Sequence, residues 1–147
     1  MKAAIPFRIA ITMIRLFLGA LFLYVAIDKI LEPHRFALVI YNYRILPVEL
    51  TNLAAIIVPW LEITIGLCLL LDIWRAAAAQ LLCVIMFSFI VMIFSAMARR
   101  LNIACGCFAL DDYDSVVGWS RILEDVLMFI GGLCIIWYDL KTRKTNA

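Results

Sequence analysis

Charge is scarce in this chain. Asp, Glu, Lys and Arg together make up 16% of its 147 residues, and a single histidine, His34, occurs. The net charge is only +2, too small to suggest a nucleic-acid partner. No basic run with interleaved aromatics exists beyond the tail Lys141-Thr142-Arg143-Lys144. A metal site needs three or four ligands, and only His34 could join a cysteine pair across the loops, so no metal is expected. The alternating pattern of a membrane β-barrel is missing as well. So is a clear small-x-small cleavage site behind the first apolar run. That run, residues 9–27, exceeds a signal h-region, carries Arg15 and leads into Asp28-Lys29. We expect it to be a retained helix.

What remains is apolar. Hydrophobic residues make up 67% of the chain and its mean hydropathy is +1.05, against roughly 45–50% apolar in a soluble domain. A chain this short has too little interior to hide that surface, so its expected solvent is the lipid bilayer. A membrane helix needs about 20 mostly apolar residues, and irregular backbone cannot face lipid. Four stretches qualify: residues 8–30, 51–71, 76–97 and 120–138. The expected fold is all-α, a single integral-membrane four-helix bundle. Between the first two spans, residues 32–47 open on Pro33, suited to a first helical turn. They place Phe36, Val39, Ile40 and Tyr43 at helical spacing. This predicts a short amphipathic helix lying in the membrane interface. The other long connection, 99–119, holds two cysteines followed by Asp111, Asp112 and Asp114.

Lys and Arg number six on each side of such a bundle, so the positive-inside count does not orient it. The dense basic tail favours both termini in the cytoplasm, and a cycling dithiol suits the oxidising face. Within helix one, Arg15, Gly19, Phe22, Ala26 and Lys29 share one stripe. A stripe with two cations and two small residues faces protein rather than lipid. Depths of roughly 10 and 15 Å, at 1.5 Å per residue, suggest that Arg15 pairs with Glu62 of helix two, near Pro59. Such a pair is either a structural clasp or part of a substrate pocket, quinone pocket or proton path. At the opposite face Asp28 and Lys29 end helix one, and Arg121, Glu124 and Asp125 begin helix four. These are either snorkelling interfacial charges or groups that tune a thiol.

That thiol chemistry belongs to Cys105-Gly106-Cys107. A disulfide wants Cα atoms about 4.4–6.8 Å apart. Residues i and i+2 reach that distance, and Gly106 gives the small ring its freedom. A strained, accessible disulfide is readily exchanged, and a nearby cation such as Lys29 or Arg121 favours the thiolate. Palmitoylation or an inert loop pair are the bland alternatives. Cys68, Cys83 and Cys134 fall inside spans and read as small buried hydrophobes, although Cys68 and Cys83 flank one tight link and could approach each other.

These residues together resemble the MauE/DoxX family of small redox-associated bacterial membrane proteins. The resemblance rests on Arg15-Leu-Phe-Leu-Gly19-Ala-Leu-Phe22 with Ala26 and Asp28-Lys29, and on Pro33, Phe36, Asn42-Tyr43 and Leu46-Pro47. It continues through Pro59-Trp60-Leu61-Glu62 with Gly66, and Cys105-Gly106-Cys107-Phe108. It implies a four-helix bundle in the bacterial inner membrane, a thioredoxin-like or cysteine-rich extracytoplasmic partner, and links to disulfide-rich clients, sulfur compounds and quinone. The C-x-x-C of the similar vitamin K epoxide reductase-like bundle is absent here. The expected function is thiol–disulfide exchange at Cys105 and Cys107, with quinone as one candidate electron carrier near Arg15 and Glu62. The rivals are a non-catalytic scaffold of a larger membrane complex and a carrier for a sulfur compound or lipophilic substrate.

Overall fold

The computed structural model describes residues 4–101 and 119–146. Among them are five α-helices: α1 (Ala4–Leu31), α2 (Pro33–Asn42), α3 (Val48–Leu70), α4 (Arg75–Ala98) and α5 (Trp119–Asn146). Three are long and apolar enough to cross a membrane: Phe7–Leu31, Val48–Leu70 and Arg75–Ala98. α5 matches α1 in length at 28 residues. Its apolar stretch is interrupted by Arg121, Glu124, Asp125 and Asp139, so composition alone supports three of the four expected spans. Phe17, Trp60, Val84 and Phe94 all lie on the outside, as expected where the surrounding solvent is lipid.

α1 packs antiparallel on α3, and α4 on α5; narrower contacts of α3 with α4 and α1 with α5 join the two pairs. Glycine sets the α1–α3 spacing. A Cβ on Gly19 would fall 3.0 Å from the Gly66 carbonyl oxygen, and one on Gly66 would fall 2.9 Å from the Gly19 carbonyl oxygen. The two backbones therefore touch directly, the arrangement small residues permit between membrane helices. Around this contact Leu18, Phe22, Ile65, Leu69, Leu82 and Ile135 form the main core.

Three helices stop without glycine. Arg44, Asp72 and Arg100 take left-handed φ values of 51°, 60° and 53° just past α2, α3 and α4. After α4 the Leu101 N–H donates to the Ala96 carbonyl and the Arg100 N–H to the Met97 carbonyl, which satisfies the carbonyls a helix end leaves free. A non-glycine residue there costs about 1–2 kcal/mol, offset by those bonds and by packing.

The predicted apolar face of α2 is the buried one. Phe36, Ile40 and Tyr43 are all interior. What covers them is protein rather than lipid: Phe36 and Ile40 pack with Ala55 of α3, and Tyr43 with Ile93 and Ala96 of α4. Arg99 locks this helix down by donating to the Tyr43 and Arg44 carbonyls. α2 therefore closes one end of the helix stack. The end of α4 and the start of α5, through Ile122, lie at that same end.

Candidate functional site

The polar residues that matter lie beneath α2, between the two helix pairs. Lys29 near the end of α1 donates to Glu62 Oε1 of α3 at 2.6 Å. Lys29 is 1% exposed and Glu62 2%. Two rings roof the ammonium, Phe36 of α2 at 4.9 Å and Phe89 of α4 at 5.2 Å from Nζ to centroid. Both rings can stabilise a desolvated cation through their π faces.

The expected Arg15–Glu62 pair is not formed. Arg15 instead makes a close charge contact with Asp72, which stands just past the end of α3. Side-chain direction explains the exchange of partners. A helical Cα–Cβ bond tilts toward the helix N-terminus. In antiparallel α1 and α3 this carries Lys29 and Glu62 toward each other, and Arg15 away from Glu62. The glycine contact fixes the register, bringing Gly19 beside Leu70 and Gly66 beside Leu23. Arg15, one turn before Gly19, therefore stands near Asp72. Around Asp72, Arg75 Nε also donates to Asp139 of α5 at 2.7 Å. That end of the molecule is thus held by charges drawn from α1, α4, α5 and the α3–α4 link.

Asp125, on the second turn of α5, is 1% exposed, and neither of its carboxylate oxygens has a hydrogen-bond partner among the described residues. It lines a small, partly open gap together with Glu62, Leu21, Phe22, Val25, Met86 and Met128. The gap has room for about one water. Lys29 acts electrostatically on both carboxylates. The sequence placed Lys29 and Asp125 at one level but gave no signal that Glu62 belongs with them. Arg121, expected beside a thiol, donates to Glu124 at 2.8 Å, one helical turn along α5.

Cys105, Gly106 and Cys107 lie outside the described residues. Cys68, Cys83 and Cys134 are free thiols, so no disulfide joins Cys68 to Cys83. Cys83 turns toward α5, where its thiol contacts the Phe129 carbonyl at 3.7 Å. No group of three metal-ligating side chains occurs among the described residues.

Comparison with known proteins covers almost all of this architecture. Residues 7–138 match the family described as methylamine utilisation protein MauE. The chain is 36% identical over 127 residues to the methylamine utilization protein MauE of Methylorubrum extorquens, covering 86% of this chain and 68% of that protein. It is 27% identical over 124 residues to its namesake in Paracoccus denitrificans, covering 83% and 66%. The chain thus spans about two thirds of the length of these relatives. No solved structure matches it.

Proposed function

The chain belongs to the MauE family, and from that premise we propose that it is an accessory membrane protein of methylamine utilisation whose Cys105–Cys107 dithiol exchanges electrons with a thioredoxin-like or cysteine-rich partner. The exchange is balanced within the two proteins. One thiolate attacks the partner's disulfide, a mixed disulfide forms and a partner thiolate leaves. The second cysteine then resolves the bond, so the chain's dithiol is oxidised and the partner's disulfide becomes two thiols. The reverse sequence oxidises the partner.

The carrying observation is Cys105-Gly106-Cys107 itself, inside the matched residues and, in the sequence, between α4 and α5. In this reading α5 is a fourth span. Of its interrupting acids, Asp125 and Asp139 are buried and Glu124 is paired with Arg121, while Leu123, Leu127, Ile130 and Trp137 form its exposed face. That face is apolar, as a lipid-facing surface requires. An even number of spans puts both termini on one side, the cytoplasmic face of the inner membrane. The dithiol segment and α2 then face the opposite, oxidising side. α2 caps the helix stack at that membrane interface.

A quinone between Arg15 and Glu62 finds less support. Those two side chains point apart, and the gap beside Glu62 has no room for a ring.

The test is a trapping experiment in cells. Cys105→Ser and Cys107→Ser are made singly and together. One single variant accumulates a mixed disulfide with a partner, which mass spectrometry identifies, and the double variant loses activity. Full activity of the double variant would instead make the protein a scaffold.

A further inference from the structure

Three carboxylate oxygens, Glu62 Oε2 and both oxygens of Asp125, have no hydrogen-bond partner among the described residues. All belong to side chains that line one gap and are almost fully buried. Among the described residues the charges around the gap do not balance. α1 contributes Lys29, α3 contributes Glu62 and α5 contributes Asp125. α4 presents Met86 and Phe89, and α2 presents Phe36, all uncharged. At the start of α5 Arg121 pairs with Glu124, and the two act on Asp125 with opposite signs. With that pair set aside, one ammonium faces two carboxylates among the described residues, leaving one negative charge out of water, which a protein interior does not sustain unpaired.

We propose that this gap is a binding site for one small monovalent cation, a proton held with a single water between Asp125 and Glu62. Size and donor count select the occupant. The gap takes about one water, so neither a hydrated ion nor an organic cation fits. A bare hard metal cation gathers about six or more oxygens, and three are on offer. A proton needs only one carboxylate oxygen, and the water can bridge to the second. The site does not depend on the thiols, and its test does not read them.

Infrared spectra of the purified protein in lipid discs count protonated carboxyl groups directly, because their carbonyl band stands apart and shifts in heavy water. Charge balance sets the count as carboxylates minus ammonium groups. At neutral pH the wild type shows one such band. Asp125→Asn and Glu62→Gln each lose it, because one carboxylate then matches Lys29. Lys29→Met doubles it. Replacing sodium by choline changes nothing. A wild type without the band overturns the proposal, whether or not any variant folds. So does a band that survives Asp125→Asn, or thermal stability that requires sodium.

Discussion

Removing Lys29 should damage this protein far more than removing its hydrogen-bonded partner. Lys29→Met leaves Glu62 and Asp125 facing each other with no cation among the groups that line their gap. Deleting one member of a buried ion pair costs about 3–5 kcal/mol, roughly two to four powers of ten in the folded-to-unfolded ratio. Glu62→Gln is different. Lys29 keeps the Phe36 and Phe89 rings at 4.9 and 5.2 Å, and Asp125 remains as its anion. The loss is then that of one charged hydrogen bond, about 1.5–3 kcal/mol, reduced by what Asp125 returns. The double variant Lys29→Met/Glu62→Gln falls between the two, because only one buried carboxylate is left. Reversible unfolding in mixed micelles gives all three values, and the double-mutant cycle yields the coupling. If Glu62→Gln proves as costly as Lys29→Met, Lys29 has no second anion and the three-residue cluster is wrong.

Other perturbations read other parts of the structure. Gly66→Ala puts a methyl 2.9 Å from a backbone oxygen of α1, so the helices must separate, at a cost of about 1–3 kcal/mol in the same unfolding assay. Gly132→Ala meets the Cys83 thiol, a side chain, at 2.7 Å, and rotation of that thiol makes the loss smaller. Arg99→Ala removes both bonds to the end of α2, and hydrogen exchange at residues 36–43 should accelerate by tenfold or more while the α1–α3 contact stays protected. Arg15→Gln breaks a pair whose Asp72 is about half exposed, so it should cost about 1 kcal/mol or less and diminish with salt.

The helices were largely legible in the sequence because charges punctuate long apolar runs. The expected 51–71 and 76–97 became Val48–Leu70 and Arg75–Ala98. The fourth stretch gained a turn and more at its C-terminal end, where Lys141 and Thr142 continue the helix past the apolar run. Partner choice was not legible. Depth along the helix axis suggested Arg15 for Glu62, but register and Cβ direction decide such pairs, and register rests on two glycines meeting across α1 and α3. Helix ends were similarly hidden, since Arg44, Asp72 and Arg100 adopt conformations usually signalled by glycine. That Asp125 has no hydrogen-bond partner among the described residues could not be anticipated from spacing. Its place in an early turn of a helix also fits an ordinary solvated acid.

The direct glycine contact has a mechanical consequence. With no side chains cushioning α1 against α3, those two helices can neither roll nor draw closer; they behave as a single plate. α4 and α5 form the other plate, and the seam between the two passes beside Glu62, Asp125 and the small gap they share. Separation of the two plates would open along that seam, and would wet the most sensitive charges of the molecule first.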